Sequence, residues 1–162
     1  MDQTNQLSFR SVAKKSLLLL IIWICMLPSG KAQNLVPNPS FEDFTTCPTT
    51  LGTGGPLQCI PWIGINSADY FNVCGGFLIG VPINILGYQE ARTGAAYAGI
   101  FHKINGGLPE QREYLQAPLL EPMEADVCYE VGYWINLGDT GCGVNQTGVL
   151  FTQGPEPNPF EM

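Results

Sequence analysis

Residues 127–137 read VCYEVGYWINL and have the strongest strand pattern in the chain. Every second residue from Val127 onward is apolar, whereas the residues between them form a mixed set of Cys128, Glu130, Gly132, Trp134 and Asn136. Successive side chains of a β-strand point to opposite faces. The segment is therefore predicted to be a strand with one apolar face and one mixed face.

Other segments along the chain are also predicted to be strands. Three more strands are predicted at residues 95–102 (AAYAGIFH), 112–119 (REYLQAPL) and 147–152 (TGVLFT), and shorter ones around Leu35, Phe41, Trp62 and Tyr70. The Asn-Gly-Gly sequence at 105–107 predicts a turn. No segment has a helical period, and the 162 residues include 19 Gly and 13 Pro. Short apolar segments between turn residues are typical of an all-β sandwich or barrel.

The first 32 residues are typical of a secretion signal. Lys14 and Lys15 precede an apolar run at 17–27, and residues 30–32 (GKA) provide small side chains for cleavage. A membrane-spanning helix needs about 20 apolar residues, and this run is roughly half as long. We therefore expect cleavage near Ala32 and a mature chain that does not span the membrane. Its expected location is extracellular or at the outer membrane.

The charge balance limits the classes of partner. Beyond residue 32 the chain has only three basic residues, Arg92, Lys103 and Arg112, against 13 acidic ones, a net charge of -10. Nucleic-acid binding requires clustered Lys and Arg, so we do not expect it. The acidic excess favours solubility, and it is also compatible with a cation such as calcium.

Five cysteines follow the signal segment, and in a secreted chain they are disulfide candidates. Their spacing lacks the close pairs of a zinc site. Residues 43–93 are rich in glycine and predict long loops, which a Cys47–Cys74 bridge would staple. The connectivity stays open, and the odd number leaves one thiol unpaired. The five candidates are Cys47, Cys59, Cys74, Cys128 and Cys142.

Residues 34–42 (NLVPNPSFE) resemble the opening of jelly-roll carbohydrate-binding modules and of the wider galactose-binding-like group. The segments that follow in order, 61–62 (PW), 68–72 (ADYFN), 94–100 (GAAYAGI) and 112–116 (REYLQ), are similar to the N-terminal module of secreted and OmpA-like outer-membrane proteins of gliding Gram-negative bacteria. The resemblance implies an antiparallel β-sandwich of jelly-roll type over residues 33–152.

The C-terminal part departs from that pattern. Residues 153–162 are rich in proline, which cannot continue a sheet. Six or seven strands are predicted, whereas a jelly roll has eight. The module is therefore expected to be incomplete at its C-terminus, with an irregular tail.

The resemblance implies a non-catalytic binding or adhesion module at the cell envelope, with a glycan or envelope polysaccharide as partner and no required cofactor. Two alternatives stay open: a structural spacer without a ligand, and a fragment of a glycan-active enzyme. Catalysis has little support in the sequence, because His102 is the only histidine and no Gly-x-Ser-x-Gly elbow is present.

Two sets of residues are candidates for binding. Sugars stack on exposed aromatic rings beside polar partners, so one set comprises Trp134, Asn136 and Glu130 on the mixed face of the 127–137 strand, with Tyr114 and Gln116 on the neighbouring strand. Trp134 could instead belong to the core. The resemblance also implies a structural calcium near the N-terminal strand, with Glu42 and Asp43 as ligands. Alternatively, Glu42 pairs with Arg112.

Overall fold

The computed structural model describes residues 32–52, 55–102, 112–139 and 141–155. The predicted signal segment, the turn at 105–107 and most of the proline-rich tail lie outside the described residues. Contacts divide the chain into the units Met1–Gln33 and Asn34–Met162, and every strand belongs to the second.

All regular elements of the described residues are short antiparallel strands. They form three small sheets with the orders β1-β2-β7, β3-β6 and β4-β5. The all-β class is therefore confirmed. No helix in the described part of the chain is long and apolar enough to cross a membrane. The strands are β1 (Gly55–Pro56), β2 (Ile63–Ile65), β3 (Asp69–Asn72), β4 (Ile83–Asn84), β5 (Gly87–Tyr88), β6 (Ala96–Gly99) and β7 (Tyr114–Gln116).

The core is built around β3, in which all four residues are buried. Tyr70 packs in a cluster with Leu57, Cys59 and Ala96. Phe71 is also fully buried, and its ring stacks on Tyr97 of β6 with 5.1 Å between centroids. Burial on both faces explains why this strand lacks the alternation that marks a half-exposed one.

The opening motif folds into a tight turn that holds the loops over this core. Asn38 has a positive φ of 42°, and its side-chain amide donates to the carbonyl oxygens of Asp43 (2.9 Å) and Ile60 (2.8 Å). Trp62 Nε1 donates to the Asn38 carbonyl oxygen at 3.0 Å, and the Trp62 ring packs against Phe41. The motif that carries the resemblance therefore has a structural task in this chain.

The expected Cys47–Cys74 bridge is confirmed, with 5.8 Å between the Cα atoms. The other three candidates are not bridged: Cys59 is buried, and Cys128 and Cys142 are exposed. Burial raises the pKa of the Cys59 thiol to about 12, which keeps it protonated. Cys59 lies in the core cluster and behaves there as a small apolar side chain.

The prediction of a strand at 127–137 is wrong, because the structure forms no strand there. The segment is exposed, and it belongs to no sheet of the described residues. Residues 147–152 likewise form no strand. A strand needs a neighbour for its hydrogen bonds and a second layer for its apolar face. Neither is provided here by the described residues, so the pattern is present without the pairing.

Candidate functional site

The surface around Trp134 is the part of the structure that best fits the binding hypothesis. Trp134 is 76% exposed, so it is not a core residue. The guanidinium carbon of Arg92 lies 4.3 Å from the centroid of its ring. This cation–π contact holds one face of the indole and leaves most of the ring in solvent.

Asn136 extends this surface. Its side-chain amide donates to Gln89 Oε1 and, at 3.2 Å, to the carbonyl oxygen of Leu137. Trp134 and Asn136 thus both contact the loop at 89–92. We call Gln89, Arg92, Trp134 and Asn136 the Trp134 surface.

The loop side of this surface is positioned by the β4–β5 hairpin. The main-chain nitrogen of Gln89 donates to the Pro82 carbonyl oxygen at 2.7 Å. Asp139 joins the end of the exposed segment to the hairpin: its carboxylate accepts from the Tyr88 nitrogen at 3.1 Å, and its own nitrogen donates to the Leu86 carbonyl oxygen at 2.9 Å. Asn136 and Asp139, which both follow Trp134 in the chain, therefore fix the exposed segment against the hairpin and its loop.

The contact between Asp139 and the β4–β5 hairpin requires glycine at position 87. Its φ is +123°, and a Cβ there would collide with the Asp139 carboxylate. Only glycine satisfies both conditions, since it lacks a Cβ and tolerates positive φ.

Tyr88, which directly precedes Gln89 in the chain, provides a second exposed aromatic ring next to the Trp134 surface. The Tyr88 hydroxyl, on a side chain that is 57% exposed, donates to Glu90 Oε1 at 2.5 Å. This hydrogen bond to the carboxylate raises the pKa of the Tyr88 hydroxyl. An exposed indole, a phenol, two side-chain amides and charged groups thus lie within a few residues of one another along two segments. Amphipathic rings with fixed polar neighbours can offer stacking and hydrogen bonds to a sugar.

The predicted residues are brought together only in part. Trp134 and Asn136 lie in this surface, and Glu130 is exposed on the same segment. Tyr114 and Gln116 are half-buried in β7, where they pair with Ile65 and Ile63 of β2. Their strand pairs with β2, whereas residues 127–137 belong to no sheet of the described residues, so the structure does not join the two candidate segments in one sheet.

The loop that completes the surface contains none of the residues predicted from the sequence to bind a ligand. Residues 87–92 (GYQEAR) combine a glycine, an aromatic ring, amide and charged groups in a region predicted to be loop. That combination was the available signal, because binding residues concentrate in loops held by a rigid scaffold. The sequence could not show that Arg92 meets Trp134, which lies 42 residues further along the chain.

Glu42 is engaged by the main chain. Its Oε1 accepts from the nitrogens of Ala95 (2.9 Å) and Ala96 (3.1 Å), so it anchors the start of β6. Glu42 and Asp43 also border an open groove of about 860 Å³. No group of three or more His, Cys, Asp and Glu that could hold a metal occurs among the described residues. Calcium at Glu42 and Asp43 stays a prediction.

A second pair of carboxylates is buried within the fold. Asp69 and Glu113 are each only 3% exposed. Asp69 Oδ1 accepts from the Gly52 nitrogen at 2.5 Å, and Glu113 accepts from the Ser67 hydroxyl and, at 2.8 Å, from the Phe101 nitrogen. These groups therefore tie loops to strands inside the protein.

No family model, curated protein or solved structure matches this chain. The geometry of the Trp134 surface is therefore the basis on which a function is proposed.

Proposed function

We propose that this protein is a secreted, non-catalytic module that binds a glycan at the cell envelope through the Trp134 surface. The observation that carries the proposal is Trp134 itself: an indole 76% exposed to solvent, held by Arg92 on one face. Burying so large an apolar ring would release more free energy than leaving it in water. An exposed and anchored tryptophan is therefore most easily explained by a ligand.

The polar groups beside the ring indicate the chemistry of that ligand. Asn136 and Gln89 are linked to each other, which orients both amides, and each retains unused donors or acceptors for hydroxyl groups. Arg92 is balanced by the nearby acidic residue Glu90 in the same loop, and the chain as a whole is acidic. A neutral polysaccharide suits this surface better than a polyanionic one, which the net charge would repel.

Affinity electrophoresis of the exported protein through gels that contain neutral and acidic polysaccharides tests the proposal. We expect retardation by a neutral glycan and at least a tenfold weaker affinity for Trp134→Ala, since truncation of a central aromatic contact typically costs more than about 1.4 kcal/mol. Trp134 fluorescence should change when the glycan binds.

Phe77→Ala is the matched control. Phe77 is also 76% exposed, and it is not one of the four residues of the Trp134 surface. The control should bind like the wild type. Equal losses in both variants, or no retardation by any glycan, would contradict the proposal, and the second result would favour a structural spacer.

A further inference from the structure

Residues 73–85 (VCGGFLIGVPINI), which we call the apolar loop, run from the end of β3 to the turn of the β4–β5 hairpin. The loop contains no charged residue. Phe77 is 76% exposed, and four further apolar side chains are 40–58% exposed. Several large apolar side chains held in water within one short loop mark a surface that another apolar phase covers. The four are Val73, Leu78, Ile83 and Ile85.

The apolar loop is anchored by groups inside the protein. Cys74 is bonded to Cys47, and the side chains of Asn72 and Asn84 are buried beneath the loop. Asn72 Oδ1 accepts from the Cys74 nitrogen at 3.0 Å, and Asn84 Nδ2 donates to the Gly80 carbonyl oxygen at 3.1 Å. These anchors hold the loop main chain against the fold, so the exposure of its apolar side chains is a feature of the folded protein.

Much of the loop main chain is hydrogen-bonded within the protein. An added peptide strand would need free main-chain groups for pairing. A lipid phase instead requires main-chain polar groups that are already paired, because it offers them no partner. The loop therefore suits lipid better than a strand. The pairs, with the N–H donor first, are Val73 with Ala95, Gly75 with Asn72, Ile79 with Gly76 and Ile85 with Leu78, at N···O distances of 2.8–3.3 Å.

We propose that the apolar loop inserts into the surface of a lipid bilayer whose headgroups carry no net charge, such as phosphatidylcholine. Phe77 and its aliphatic neighbours enter the boundary between headgroups and acyl chains, which lies about 5–10 Å deep for surface-bound apolar segments. The loop lies on the membrane and does not cross it. This contact is separate from glycan binding, because it uses none of the four residues of the Trp134 surface.

Charge selects this occupant among the alternatives. Beyond residue 32 the chain has a net charge of -10, so a second copy and an anionic lipid surface are both repelled. A basic protein partner would be attracted to the chain, but the loop has no carboxylate with which to pair it. A bilayer without net charge avoids both costs, since burial of apolar side chains is non-directional and needs no charged group.

Flotation of the exported protein with phosphatidylcholine vesicles tests the proposal. We expect the protein to float with the vesicles and Phe77→Asp to lower the partition coefficient at least tenfold, because the burial of the ring is lost and a charge resists entry. Leu150→Asp is the matched control, since Leu150 is 61% exposed outside the apolar loop and receives the same charge. It should float like the wild type. No flotation of the wild type, or equal losses in both variants, would overturn the proposal.

Fluorescence tests whether the loop itself enters the lipid. In a Trp134→Phe background, Phe77→Trp places an indole in the apolar loop. We expect its emission to shift to shorter wavelength on phosphatidylcholine vesicles and to be quenched by brominated acyl chains. Unchanged emission in the presence of bound vesicles would contradict insertion.

Sedimentation velocity without lipid distinguishes a second copy as the occupant. We expect a monomer, and a dimer that Phe77→Asp dissociates would overturn the lipid assignment. Phe77→Asp should also retain the glycan retardation of the wild type, so the outcome for the apolar loop is separable from the outcome for the Trp134 surface.

Discussion

Asp69 is a buried carboxylic acid whose ionisation is shifted by the fold. Burial raises the pKa of its carboxyl from 3.8 to about 6, the Gly52 amide lowers it, and the neighbouring Glu113 charge raises it. The folded protein therefore binds this proton more tightly than the unfolded chain does. The stabilisation from the protonated form is complete below pH 4 and is lost as the pH rises through 6.

We expect Asp69→Asn to stabilise the protein at neutral pH, because the amide keeps an acceptor for the Gly52 nitrogen without a buried charge. The gain should be about 1–2 kcal/mol at pH 7.5 and about a third of that at pH 4.5. Chemical unfolding at both pH values measures it. The exposed Asp126→Asn is the control and should show no such difference between the two pH values.

The Cys47–Cys74 bridge is the main covalent constraint at the level of elements. It closes a loop over a sequence separation of 27 residues, which includes β1, β2 and β3. Cross-linking a loop of this size restricts the unfolded chain and stabilises the fold by about 3–4 kcal/mol in the chain-entropy model.

Replacement of both Cys47 and Cys74 by Ala should therefore lower the free energy of unfolding by about 3 kcal/mol. Urea denaturation followed by circular dichroism measures the loss. Replacement of the exposed, unbridged Cys128 and Cys142 by Ala should have little effect. A similar loss in both double variants would show that the bridge has no special role.

Strand prediction from alternation succeeded where a partner was near. Residues 95–102 contain β6, residues 112–119 contain β7, and the short segments around Trp62 and Tyr70 correspond to β2 and β3. The segment at 127–137 has the strongest alternation and forms no strand. Alternation reports which face of a strand would be apolar, but pairing depends on what lies beside it.

The whole molecule has a small core for its size. Apart from proline, the described part of the chain buries only seven apolar side chains, and large apolar residues are exposed along 127–137 and 149–151. Hydrophobic burial drives cooperative folding, and its extent sets the enthalpy and heat capacity of unfolding.

We therefore expect calorimetry of the protein to show a broad transition, with an enthalpy well below the usual value of about 0.7 kcal/mol per residue. The exposed apolar surface should also bind the dye ANS in the native state. A sharp transition with the full enthalpy and no ANS binding would contradict this expectation.

The sequence by itself determined the all-β class, the Cys47–Cys74 bridge as the favoured pair of its cysteine trio, and Trp134 with Asn136 as binding candidates. Each follows from local chemistry: alternation, loop composition, and ring and amide side chains two residues apart. Only the tertiary structure decided that Arg92 and Gln89 complete the Trp134 surface, that Glu42 anchors β6, and that residues 127–137 stay unpaired. These outcomes depend on which distant segments become neighbours, and spacing along the chain does not encode that.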